Sequence, residues 1–209
     1  MPALAAYNGG TGICDAAALE AARETGIPVS ILQAIGRVES GRQVEGRFQP
    51  WPWTINMAGE GKFFTSSAEA EAFVATAMEG GRSNIDIGCF QINLHWHGTG
   101  FRSLKDMFSP ASNARYAANF LLDLKERYGS WEAAVGAYHS NRDDRAQGYL
   151  TKVLAQMQGP LPDAASGPLR VQSVRERVNL YPLLQAGGYA SQGSLVSFDA
   201  GPTPRPMFD

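Results

Sequence analysis

The chain has 209 residues, of which 44% are hydrophobic and 18% charged, with a formal net charge of −2. That length holds one sizeable domain plus an extension, and the near-neutral balance excludes a nucleic-acid footprint. No apolar run is long enough for a membrane-spanning helix.

The first residues, "MPALAAY", lack the charged and apolar regions of a signal peptide. Ala3-Leu4-Ala5 does resemble the small-residue pattern before a cleavage site, so residues 1–11 read as either a signal remnant or an ordinary Ala-rich start. Residues 12–25, "GICDAAALEAARET", predict a helix. Pro28 suits the first turn of a second helix running to about Ser40. Its apolar stripe is Ile31, Leu32, Ile35 and Val38. Glu39 falls at the edge of that stripe, and Gly41 is a plausible stop. A carboxyl there is desolvated and close to the negative end of the helix dipole, and both effects favour its protonated form. Glu39 is therefore a candidate general acid, against the alternative of a glutamate turned to solvent at a helix end.

Residues 46–65 hold two aromatic-rich segments around "AGEG", which predicts a β-hairpin. Ser66-Ser67-Ala68-Glu69 fits a capping box opening a helix over 67–79. The segment 85–96, "IDIGCFQINLHW", reads as extended or irregular, with Gly88 in its middle. Pro110 opens a long amphipathic helix with the stripe Ala114, Ala117, Leu121, Leu124 and Tyr128. Ser130 caps the next helix, whose face is Trp131, Ala134, Val135 and Tyr138. Tyr149, Leu150, Val153, Leu154 and Met157 mark one more. From Gly159 the composition shifts to "GPLPDAASGP", a linker signature. "LRVQSVRERVNLYPLLQ" then reads as a short docking helix, and the final residues as a mobile end. The domain is α+β and mainly helical, with a small β element between early helices and a helical second half.

Four motifs stand in order along the chain. They are a helix ending in Glu39-Ser40, then Asp86-Ile87-Gly88 with Gln91-Ile92-Asn93, then Pro110 with Asn113, then Trp131, Ala134 and Tyr138-His139. Together they resemble the soluble lytic transglycosylases of peptidoglycan metabolism, which share the lysozyme-like fold. The nearest branch is that of small enzymes accompanying flagella and secretion machines. The resemblance covers about residues 12–157 and implies a domain over 12–158, followed by an extension over 159–209. It implies Glu39 as catalytic acid/base, supported by Ser40 and by a Tyr138 hydroxyl that approaches the carboxyl and holds it. It implies Gln91 and Asn93 as lining the cleft, and Gly88 as letting the backbone pass close to the glycan. Ser83, Phe90 and Trp53 join them as candidate glycan contacts. The chain departs from the general family at His139-Ser140, where Asn-Ala-Gly follows the tyrosine, and at Cys89-Phe90, where Leu-Met is usual. The segment 57–83 is also longer than the common loop.

The implied reaction breaks the β-1,4 bond between N-acetylmuramic acid and N-acetylglucosamine and closes a 1,6-anhydro ring, with no cofactor and no metal. A hydrolytic muramidase would add a second carboxylate, for which Asp86 is the candidate. The other reading of Asp86 has it accepting backbone N–H bonds and fixing the turn into Gly88. A third reading is a non-catalytic wall-binding assembly protein. The implied setting is the periplasm. The implied partners are glycan strands and, through 159–209, a flagellar-rod or secretion-system protein.

Two cysteines, Cys14 and Cys89, suit separate thiols in the cytosol and one disulfide outside it. The resemblance favours the disulfide. Cys89 as a nucleophile beside His95 or His97 is the weaker alternative, as is zinc bound by His95, His97 and His139. The segment "PWPW" at 50–53 reads equally as a sugar-stacking platform or as a small aromatic core under the hairpin.

Overall fold

The computed structural model describes Gly10 and residues 12–157. The expectations for residues 1–9 and for the extension from 159 onward, including its docking helix, lie outside the described residues.

Helix α1 spans Ile13–Thr25 and ends on Gly26, whose left-handed φ of 76° turns its N–H onto Ala22 O. Its buried face is Cys14, Ala17, Ala18, Ala21 and Ala22, small enough to seat it closely against a later helix. Helix α2 spans Val29–Ser40, with Pro28 just outside it. Ile31, Leu32 and Ile35 of the expected stripe are fully buried, and Val38 is half-buried. Gly41 does end this helix, but for want of room rather than for a left-handed turn. Its φ is −63° and ψ 133°, ordinary extended backbone. A Cβ there would lie 2.1 Å from Arg37 O and 2.4 Å from Phe48 Cζ.

The chain then makes two hairpins where one was expected. Strands β1 (Gly41–Val44) and β2 (Arg47–Pro50) pair antiparallel around Glu45-Gly46. Strands β3 (Thr54–Met57) and β4 (Glu60–Phe63) pair around Ala58-Gly59, within the "AGEG" turn. Both two-residue turns carry positive φ at each position, 49° and 77° in the first and 57° and 83° in the second. That is the geometry whose twist matches paired strands. Helix α3 follows at Ser67–Glu79. Ser66 Oγ accepts the Glu69 N–H, while the Glu69 carboxylate reaches back to Thr65 N and Oγ1 at 3.1 and 2.8 Å. Strands β5 (Ile85–Ile87) and β6 (Ile92–Asn93) complete a four-stranded antiparallel sheet in the order β4-β3-β5-β6.

The second half is helical: α4 (Leu94–His97), a 3-10 turn (Gly98–Gly100), α5 (Leu104–Phe108), α6 (Pro110–Tyr128), α7 (Trp131–His139) and α8 (Asp143–Gln156). Ser109 and Ser130 cap α6 and α7 through their hydroxyls. Ala114, Ala117, Leu121 and Leu124 of α6 are buried against α1 and α7. Helix α8 packs on both α2 and α7, which carries it to the end of α2 that bears Glu39. One core joins the helices and the sheet, built on Ile31, Leu32, Ile35, Ile55, Ile87 and Phe90. The Cys14–Cys89 disulfide ties α1 to the turn between β5 and β6. Among the described residues no helix is long and apolar enough to cross a membrane.

Candidate active site

Glu39 is the penultimate residue of α2, half-buried, with part of its surface open to solvent. Its carboxyl receives one direct side-chain hydrogen bond, from the Tyr149 hydroxyl of α8 to Oε1 at 2.5 Å. Tyr149 is itself buried, and its ring lies flat against His139, with centroids 4.7 Å apart and planes 3° from parallel. On its other contact, the Tyr138 ring stacks at 6.3 Å. Desolvation raises the Glu39 pKa to about 8; the Tyr149 bond opposes this, Asp86 adds to it, and Lys152 opposes it. A group at that value keeps its proton at neutral pH. Because Tyr149 donates to Oε1, Oε2 is the oxygen left to carry the proton. Burial also lowers the His139 pKa, helped by Lys152 and Arg145, so its ring is neutral in the stack.

The sheet supplies a second carboxyl within electrostatic reach of Glu39. Asp86 of β5 is buried, and its pKa rises to about 7 through desolvation, against the opposing bond from Asn93. A negative charge on Asp86 hinders ionisation of Glu39, so the two carboxyls titrate as a coupled pair. Behind it lies Asn113 of α6, fully buried. Its Nδ2 donates to Ile87 O at 3.0 Å and Met107 O at 3.2 Å, and its Oδ1 accepts Phe90 N–H at 2.9 Å. That side chain clamps the Gly88–Phe90 turn from behind. The open groove of about 520 Å³ lined by Met57, Phe73, Thr76, Ala77 and Arg82 shares no residue with this site.

Residues 61–152 match the family model described as Transglycosylase SLT domain. The match supports the soluble lytic transglycosylase family. It spans β4 to α8, less than half of the chain, and therefore includes Asp86, Gln91, Tyr138 and Tyr149 but not Glu39. It also supports action on peptidoglycan in general, and with it a place outside the cytoplasm. A search of curated proteins and a search of solved structures each returned no match.

Several expected roles are corrected by the geometry. The Tyr138 hydroxyl does not hold Glu39: it donates to Phe90 O at 2.9 Å, inside the core. Tyr149, read from sequence only as part of a packing stripe, holds the acid instead. Phe90 is fully buried and offers no ring to a glycan. Gly88 has the left-handed φ of 86°, yet what crowds it is Asn113, whose Nδ2 would lie 2.8 Å from a Cβ. Asn93 donates to Asn84 and Asp86, both at 2.7 Å, and accepts from His95 N and Trp96 N as the cap of α4. Its amide is thus spent within the protein. Gln91 likewise turns both amide hydrogens inward, to Thr54 O and Gly88 O. Asp86 accepts from the Asn93 side chain, where its turn-fixing reading expected backbone N–H groups.

Ser40 sits beside Glu39 with its hydroxyl 2.8 Å from Cys89 O, fixing the end of α2 to the β5–β6 turn. Ser83 is exposed and 3.0 Å from His95 Nδ1. Trp51 is buried, donating Nε1–H to Phe64 O, so it belongs to the aromatic core; Trp53 is half-buried and packs edge-on to it at 5.7 Å. Cys89 is bonded to Cys14, which removes the thiol nucleophile. Burial lowers the His97 pKa to about 4, and its Nδ1 meets Tyr116 OH at 2.9 Å. Among the described residues no three His, Cys, Asp or Glu side chains are grouped to hold a metal.

Proposed function

We propose that this protein is a peptidoglycan lytic transglycosylase with Glu39 as its single acid/base. One observation carries the reading: a carboxyl at the end of α2 that keeps its proton near neutral pH, held by Tyr149 and open on one side. Glu39 gives its proton to the glycosidic oxygen as the bond from muramic C1 to that oxygen breaks. The resulting carboxylate takes the proton of the C6 hydroxyl on the same muramic residue. O6 then bonds to C1, giving the 1,6-anhydro product and restoring the acid. The nucleophile belongs to the substrate, so its effective concentration is high and no activated water is needed. Ser40 and Asn113 act at one remove, by fixing the backbone that frames the carboxyl.

The catalytic domain takes in 12–158, with Ser83 and Trp53 as outer glycan contacts. By its likeness to the flagellum- and secretion-associated branch, the enzyme works in the periplasm, opening the wall for an assembling machine. The extension over 159–209 supplies the surface for a partner in that machine.

A second reading has a specific observation in its favour. Asp86 is a buried carboxyl electrostatically coupled to Glu39, the pairing a hydrolytic muramidase uses. Mass spectrometry of digested sacculi separates the two: anhydro-muropeptides support the transglycosylase, and reducing ends support the hydrolase. Glu39→Gln should cut lysis of purified peptidoglycan by about 100-fold or more with the fold intact; near-wild-type lysis excludes both readings.

A further inference from the structure

The first hairpin carries polar groups that the reaction above does not use. Arg42 on β1 and Gln49 on β2 are cross-strand partners, so their side chains leave the same face of the ribbon, with Cβ atoms about 5 Å apart. Gln49 is only 7% exposed, yet its Nε2 has no acceptor among the described residues. A buried amide donor left without a partner is costly. Beside it, the half-buried Arg42 guanidinium lies over two rings, 4.9 Å from the Trp51 centroid and 4.8 Å from that of Phe63. No carboxylate pairs with Arg42 among the described residues. Stacking covers the flat face of a guanidinium and leaves its in-plane N–H fork, the geometry that takes a carboxylate through two parallel bonds.

We propose that Arg42 and Gln49 form a carboxylate-binding site that reads the peptide stem carried by muramic acid. The inference rests on the peptidoglycan reading and deepens it, because it makes stem-bearing glycan the preferred substrate. The distances allow it. Arg42 follows Glu39 by three residues, so their Cα atoms are at most about 11 Å apart. A stem three residues long, extended, reaches about 10 Å from the sugar at the catalytic acid. Trp51 and Phe63 hold the guanidinium in place beforehand, which limits the ordering cost of binding. Gln49 adds a second donor to the same carboxylate or to the neighbouring stem carbonyl.

Two variants of the full chain test this. Arg42→Met removes the fork, and Gln49→Glu sets an internal carboxylate opposite Arg42, filling the site while leaving the hairpin paired. Each should lower kcat/KM on intact sacculi by about tenfold and leave it within about twofold on strands stripped of stems by an amidase. In Glu39→Gln protein, the Gln49 side-chain amide resonances should shift on titration with N-acetylglucosaminyl-N-acetylmuramyl tetrapeptide, and not with the same disaccharide lacking the peptide. Equal losses on both substrates, or no loss, or resonances indifferent to the stem would overturn the proposal. Failure of the transglycosylase reading looks different: the wild type would leave both substrates uncut, while the amide titration would still report on the stem.

Discussion

The sheet side and the helical side of the molecule use polar residues in opposite ways. On the sheet side, Asn93, Gln91 and Asn113 place their amide hydrogens inside the protein, and Asn113 and Asn93 also use their amide oxygens there. That side is a rigid knot under Gly88–Phe90, pinned further by Cys14–Cys89. On the helical side, Glu39 has one hydrogen bond from Tyr149 and is otherwise kept short of solvation. The contrast teaches that the residues most visible as a motif build the frame, while the chemistry we propose depends on a carboxyl left under-satisfied. A satisfied group is stable and inert; an under-satisfied one holds a proton it can give away.

Breaking the frame should cost stability first. Cys14→Ala, which opens a loop of 75 residues, should lower unfolding free energy by about 4 kcal/mol, read by denaturant titration. Asn113→Ala should cost about 3 kcal/mol, because one N–H and two carbonyls lose their buried partner together. The tyrosine pair sharpens the comparison. Tyr149→Phe should lower kcat by about tenfold and raise the Glu39 pKa further, since the lost bond favours the ionised form. Tyr138→Phe should cost about 1 kcal/mol of stability through the Phe90 carbonyl and leave the rate profile in place.

The acid itself sets a pH trend. The folded pKa of Glu39 is raised above its ordinary 4.5 to about 8, so the folded state binds the extra proton between those values. Its stabilising contribution is complete below about pH 4.5 and is lost as pH rises through about 8. Wild-type Tm should therefore fall relative to that of Glu39→Gln between pH 5 and pH 8.5. A constant difference would mean that the carboxyl is solvated in the folded state.

The helices were legible because they carry local signals. Ser66, Ser109 and Ser130 cap where their spacing says, and the stripes of α2 and α6 are buried as read except for the half-buried Val38 and Tyr128 at their C-terminal ends. The β1–β2 hairpin was missed because "GRQVEGRFQP" is polar and its side chains are mostly exposed or half-exposed, so no alternation marks it. Its one signal was Glu45-Gly46 as a turn. The desolvation of the Glu39 carboxyl was legible from its place beside an apolar stripe. Tyr149 was not, because a buried ring and a ring whose hydroxyl meets an acid look alike along α8; only the packing of α8 on α2 decides it. Asn93 and Gln91 show the same ambiguity in reverse, since their amide hydrogens are spent within the protein. A polar residue in a motif does not declare whether it faces a ligand or its own backbone.

The central claim is that dry surroundings keep the Glu39 carboxyl neutral until it meets the glycosidic oxygen. Carbon-13 NMR of the glutamate side-chain carboxyls, with Glu39→Gln supplying the assignment, measures this directly. A Glu39 midpoint near pH 8 is the predicted result. A midpoint near the ordinary 4.5 would contradict the account, because the acid would then have surrendered its proton before substrate arrived.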